Sequence, residues 1–140
     1  MMIVIRDRVR FVETDTMGVV HHSKYLHWFE MGRAELLRAA GMSLNDLMEA
    51  GILFPIASVE VKYKNSCKYD DEYEVQTSLT GLSKIKMDFD QKVIRLRDGA
   101  VAAEGKLRCV FTDANGKPTR LSSEWLERLQ ATAELDNTKE

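Results

Sequence analysis

The sequence predicts an α+β domain in which an antiparallel sheet of five or six strands wraps around one long central helix. Three observations carry this reading. Residues 23–40 place Tyr25, Trp28, Phe29, Gly32, Leu36, Ala39 and Ala40 at three- and four-residue spacing, which is one face of a helix. Most of the chain beyond residue 56 alternates apolar and polar residues with period two, the pattern of strands with one buried face. Tight turns separate these strands, so neighbours pair antiparallel, and the apolar helix is the only large element able to cover their inner face.

Each element follows in order. In "IVIRDRVRF" (residues 3–11), Ile3, Ile5, Asp7, Val9 and Phe11 alternate with Val4, Arg6, Arg8 and Arg10, which predicts a strand. The long helix is expected to begin at Ser23 as N-cap and to stop at Gly41, where a left-handed backbone is cheap. Ser43 and Asp46 form an acidic variant of the capping box and start a short helix to about residue 50. Glu30 and Arg33, three apart on the long helix, are expected to pair with each other. Next, Ala57, Val59, Val61 and Tyr63 face one way, with Glu60, Lys62, Lys64 and Lys68 facing the other. Tyr73, Val75, Thr77 and Leu79 form the inner face of the following strand. "MDFDQKVIRL" alternates less cleanly and predicts a bulge near Gln91. Asp98-Gly99 predicts a hairpin with a type I′ turn. Val101, Ala103, Gly105, Leu107, Cys109 and Phe111 make the last strand face, and residues 122–133 a closing amphipathic helix. Residues 1–133 thus read as one domain, with the polar tail 134–140 expected to fray.

Composition narrows the function. A chain of 140 residues supports one sizeable core. The formal net charge of −2 gives no global electrostatic case for nucleic acid or an anionic membrane as partner. Cys67 and Cys109 do not make a disulfide framework and read as buried, reduced thiols. The opening "MMIVIRDRV" has neither a basic segment before its short apolar run nor a small-residue cleavage site. The chain also has no apolar stretch of spanning length, so a cytoplasmic protein is expected.

The chemistry concentrates in "VETDTMGVVHH", residues 12–22. Asp15 follows a strand and precedes a helix, and helix N-termini present unpaired N–H groups and a partial positive charge. Gly18 lets the backbone turn sharply between the acid and the helix. A metal held by Asp15, His21 and His22 is not expected: adjacent histidines on a helix or strand do not readily face one ion, and no second histidine or cysteine cluster supports them. No glycine-rich nucleotide loop occurs.

The stretch "RFVETDTMGVVHHSKYLHWFEMGRAELLR" resembles the opening of hotdog-fold acyl-CoA thioesterases of the 4-hydroxybenzoyl-CoA thioesterase type, including bacterial members associated with the Tol-Pal system. The shared features are an aspartate three residues before Gly-Val-Val, a histidine four residues after that glycine, and a Tyr-Leu-x-Trp-Phe-Glu helix start. The order of elements over roughly residues 1–130 is similar as well. Where relatives often have tyrosine, this chain has Phe11, so a hydroxyl there is absent.

The resemblance implies hydrolysis of a CoA thioester to acid and CoA, with no cofactor or metal. It gives Asp15 the role of nucleophile or general base, His22 that of an orienting group, and the amides near His22 and Ser23 that of donors to the thioester carbonyl. Gly18 shapes the same loop. It also places Tyr25 on the border of the acyl tunnel, and Lys84 and Lys86 near the CoA phosphates. Relatives form two-fold dimers with edge-to-edge sheets and often tetramers, so a homodimer at least, and a homotetramer, is expected. A hotdog dehydratase pairs its histidine and acid at other spacings. A non-catalytic acyl-CoA-binding or envelope-associated scaffold is the alternative outside enzymes.

Overall fold

The computed structural model of the protein describes residues 2–137. The elements run β1 (Met2–Arg8), α1 (His22–Ala39), α2 (Leu44–Glu49), β2 (Ile56–Tyr63), β3 (Glu72–Leu82), β4 (Lys86–Arg95), β5 (Ala100–Val110) and α3 (Ser123–Asn137). The five strands form one antiparallel sheet in the order β1-β3-β4-β5-β2, so β1 and β2 are its edges. The sheet curls around α1, as the apolar stripe requires.

Two glycines set how closely helix and sheet approach. A Cβ built on Gly32 of α1 would lie 2.2 Å from Thr77 Oγ1 and 3.0 Å from Gln91 Nε2. A Cβ on Gly105 of β5 would lie 2.8 Å from the Phe29 ring. Only hydrogen fits at either place. Around this seam lie two apolar clusters. One gathers Val9, Tyr25, Trp28, Phe29, Tyr73, Val75 and Leu107; the other gathers Leu36, Leu37, Met42, Leu47, Phe89, Phe111 and Leu129. α3 closes the second cluster through Trp125, Leu126 and Leu129, and Arg128 donates to the Gly41 carbonyl at 3.0 Å. Cys67 and Cys109 are both buried and unpaired with each other.

The inner faces of β3 and β5 follow the alternation read from the sequence, and α2 begins with the Ser43–Asp46 capping box. Other expectations change. β1 stops at Arg8, and Phe11–Glu13 is a single 3-10 turn in which the Glu13 carboxylate captures the Arg10 amide, turning Phe11 out to 76% exposure. No Glu30–Arg33 ion pair forms among the described residues. Arg33 is instead buried and donates to Gln91 Oε1 at 3.0 Å, while Gln91 Nε2 donates to the Phe29 carbonyl and Thr77 Oγ1, both at 2.8 Å. Gln91 therefore pairs in regular register, and the irregularity of β4 against β5 falls between Val93 and Ile94. The β4–β5 connection is a four-residue loop rather than a type I′ turn. Gly99 alone takes positive φ (+72°) and donates to the Arg95 carbonyl, whereas Asp98 uses its carboxylate to bind Arg95 and the Ala100 amide. α3 continues through residues 134–137, which were expected to fray; residues 138–140 lie outside the described residues.

Both edge strands are exposed, β2 over nearly its whole length. The apolar Ile56, Val59 and Tyr63 of β2 are 46%, 47% and 49% exposed, although Val59 and Tyr63 share the inner face with Val61.

Candidate active site

The loop from residue 11 to residue 21 is a small hairpin of its own. Thr14 pairs with Val20, the Asp15 amide donates to the Val19 carbonyl at 2.9 Å, and the Gly18 amide donates to the Asp15 carbonyl at 3.0 Å. Gly18 closes the turn at φ +79°, a conformation that would strain any other residue here except asparagine or aspartate. Asp15 Oδ1 accepts the Met17 amide at 2.8 Å. This Asx turn fixes the carboxylate, while Oδ2 has no hydrogen-bond partner among the described residues. An anchored carboxylate with one open oxygen is suited to take a proton from water or to attack a carbon.

The hairpin leads directly into α1, and the N-terminus of that helix differs from the one expected. His21, not Ser23, is the N-cap: its Nδ1 accepts the Ser23 amide at 3.2 Å and lies 2.8 Å from Ser23 Oγ. The Ser23 amide is thereby engaged, and the Lys24 amide turns back to the His21 carbonyl at 2.9 Å. The His22 amide is the first-turn N–H with no hydrogen bond among the described residues. It is the donor available to polarise a carbonyl.

The His22 ring is exposed. It packs on His21, with centroids 4.2 Å apart, and edge-on to Tyr63 at 6.3 Å; no hydrogen bond joins it to Asp15. Tyr63 donates its hydroxyl to the His22 carbonyl at 3.0 Å, tying β2 to the helix start. Tyr25 is buried, with its hydroxyl accepting the Cys67 amide at 3.3 Å, and burial pushes its phenol up from the usual value. It is therefore poorly suited to give up a proton, and it presents its ring to its surroundings. Rings run from the core to the surface here: Tyr73 stacks on Trp28 at 3.9 Å, Trp28 meets Tyr25 at 5.1 Å, and Tyr25 meets Tyr63 at 5.5 Å.

At the outer end of that chain is a cleft of about 240 Å³ lined by Val20, His22, Tyr25, Tyr63, Lys64, Asn65 and Ser66. Of the residues read from the sequence, His22 and Tyr25 line this cleft, Asp15 and Gly18 lie in the hairpin whose returning arm supplies Val20 to it, and Ser23 lies in the first turn of α1. Lys84 and Lys86 lie elsewhere. Lys86 opens β4 opposite Val110, whereas Arg95 at the other end of β4 touches the Ser66 carbonyl. That separates them by about 30 Å along the strand at about 3.3 Å per residue. Lys86 is also engaged by Asp88 at 2.6 Å.

Sequence reasoning missed Tyr63 and Asn65, and placed Lys64 only on the polar face of its strand, because the fold alone brings the end of β2 to the helix start. Glu13 lies within the loop itself, and its spacing does not signal the Arg10 amide and Trp28 indole that it accepts from. A larger hollow of about 440 Å³ lies on the outer face of the sheet. Its charges oppose one another across strands, Glu60 beside Lys106 and Lys62 and Lys92 beside Glu104, so it offers no net attraction to a charged ligand.

Residues 9–130 match the family described as the Thioesterase-like superfamily. A putative esterase of Aquifex aeolicus (strain VF5) is 35% identical over 130 residues, which is 93% of this chain and 99% of that protein. The acyl-CoA thioesterase YbgC of Haemophilus influenzae (strain ATCC 51907 / DSM 11121 / KW20 / Rd) is 33% identical over 104 residues, 74% of this chain and 76% of its own. Among solved structures, the DHNA-CoA thioesterase from Staphylococcus aureus superposes with a TM-score of 0.91 at 26% identity, covering 99% of this chain and 95% of that one.

Proposed function

The chain belongs to the Thioesterase-like superfamily and has the hotdog fold, and from that premise we propose that it hydrolyses an acyl-CoA thioester to the free acid and CoA through Asp15. The observation that carries this reading is the pairing in one loop of an anchored carboxylate with the unengaged His22 amide at the start of α1. The thioester carbonyl accepts from that amide, which stabilises the negative charge developing on oxygen. In the general-base route, water adds to the carbonyl carbon as its proton passes to Asp15. The C–S bond then breaks, and the CoA thiolate leaves and takes up a proton. In the nucleophilic route, Asp15 displaces the thiolate to form a mixed anhydride, which water then cleaves. The open oxygen serves both. A thiolate of intrinsic pKa near ~8.5 leaves with little acid assistance, so this chain's own groups and water suffice without a metal or cofactor.

Tyr25 and Tyr63 would wall the acyl group, with Gly18 and Ser23 shaping the loop and helix start around it. The cleft opens beside Tyr63 at the exposed β2 edge, which supports a homodimer joined along that edge with each site at the subunit boundary. A further pairing would give the tetramer. Lys84 and Lys86, remote from Asp15 in one chain, would then reach CoA held at a partner's site. Two buried free thiols support work in the reducing cytoplasm.

Thiol release measured over short-chain, long-chain and aromatic acyl-CoAs tests the proposal. Turnover on at least one class is expected. Negligible turnover on all of them, with tight acyl-CoA binding retained, would show a binding scaffold instead. Light scattering at micromolar concentration should give a dimer or tetramer, and a fully active monomer would refute the shared site.

A further inference from the structure

Glu13 is 4% exposed, yet no step of the reaction above uses it. Its carboxylate sits between two donors. Oε1 accepts the Arg10 amide at 2.8 Å, and Oε2 accepts the Trp28 indole N–H at 2.8 Å, with the Arg10 guanidinium 3.5 Å away. Its backbone carbonyl accepts the His21 amide at 2.9 Å. One residue thus fastens the start of the Asp15 hairpin to its end and, through Trp28, to the body of α1. Asp15 is two residues from this clamp on one side. The His22 amide is one residue beyond His21 on the other.

We propose that Glu13 is a positioning residue, which sets the Asp15 carboxylate against the His22 amide by clamping both ends of the loop to α1. The inference rests on the assignment of the chemistry to Asp15. A carboxylate is specifically required in this place. Both flanking partners are N–H donors, so the group between them must accept on both sides; glutamine would turn its own NH₂ toward one of them. Burying an anion is costly unless it is hydrogen-bonded, and here the donors match its oxygens. The ionisation behaviour agrees. Burial pushes the Glu13 carboxyl up, but the Arg10 amide, the Trp28 indole and the Arg10 guanidinium together hold it below its ordinary value. The carboxylate does not line the cleft beside His22, so it acts through the loop rather than on substrate.

The test is a double-mutant cycle read by single-turnover thiol release, with unfolding midpoints measured in parallel. Glu13→Gln removes one acceptor and keeps the shape. Trp28→Phe removes the donor and keeps a ring against Tyr73 and Tyr25. Each is expected to lower the rate about 10-fold with KM within about twofold, because sub-ångström misplacement of a reacting group costs rate rather than binding. In an Asp15→Asn background the same changes should cost less than about twofold, since the group they position is gone. Losses that multiply in the double variants, or a Glu13→Gln enzyme within twofold of wild type, would overturn the positioning role and leave Asp15 untouched. If Glu13→Gln does not fold at the assay temperature, Trp28→Phe is judged by the same criteria. Asp15→Asn retaining more than about a tenth of the wild-type rate would overturn the Asp15 assignment and this inference with it.

Discussion

The seam between α1 and the sheet and the loop ahead of α1 adjoin each other but are held by different forces. At the seam, Gly32 lies over Thr77 and Gln91, Phe29 fills the space above Gly105, and Leu36 and Leu37 are essentially inaccessible. Shape and apolar burial dominate there, with the buried Gln91 side chain adding hydrogen bonds to the Phe29 carbonyl, Thr77 and Arg33. In the loop, Phe11, Val12 and Met17 are 76%, 73% and 80% exposed, and order comes from hydrogen bonds to Asp15, Glu13 and His21. Packing holds the seam against any change of volume. A few directional bonds hold the loop in one arrangement while leaving the Asp15 oxygen and the His22 amide open.

That contrast predicts different failures. Gly32→Ala should be the most damaging to stability, about 3 kcal/mol, because the new methyl meets Thr77 Oγ1, itself held by Gln91. Chemical denaturation measures it, and a loss below about 1 kcal/mol would mean the seam yields more than its geometry indicates. If the exposed His22 ring orients substrate or water, as proposed, His22→Ala should lower kcat about 10-fold with stability preserved, since the backbone amide remains. A larger loss from His22 than from Asp15 would reverse their roles.

His21→Ala removes the N-cap and should cost about 1 kcal/mol. An unchanged unfolding midpoint would show that Ser23 can take over the cap. The smallest effect belongs to Lys84→Ala: about a threefold rise in KM for acyl-CoA at constant kcat, the scale of one exposed charge contact. An unaltered KM would remove this lysine from CoA recognition.

The same contrast explains what the sequence disclosed. Periodicity reports burial, so the α1 stripe and the inner faces of β3 and β5 were legible residue by residue. It says nothing about which donor a buried polar group finds. Arg33 looks like an exposed partner for Glu30 at i,i+3, yet it turns inward to Gln91, because both residues flank the place where Gly32 admits the sheet. Phe11 continued an alternation that Glu13 breaks by capturing the Arg10 amide. Ser23 is a better N-cap by residue type than His21, but the hairpin returning to the Glu13 carbonyl brings the chain into the helix two residues earlier. The resemblance pointed to Asp15 and Gly18 in the loop and to His22 where the helix begins. The cleft beside His22 includes Tyr63, Lys64 and Asn65 from the end of β2 and beyond, which only the fold brings near.

The most direct test of the division between seam and loop is to measure kcat and the unfolding midpoint on the same preparation of Asp15→Asn. The substitution removes the charge and keeps a side-chain oxygen for the Met17 amide, so the turn survives. A fall in kcat of at least ~100-fold with a nearly unchanged midpoint is expected. An enzyme keeping more than about a tenth of wild-type kcat, or one inactive only because it has lost its fold, would contradict the account.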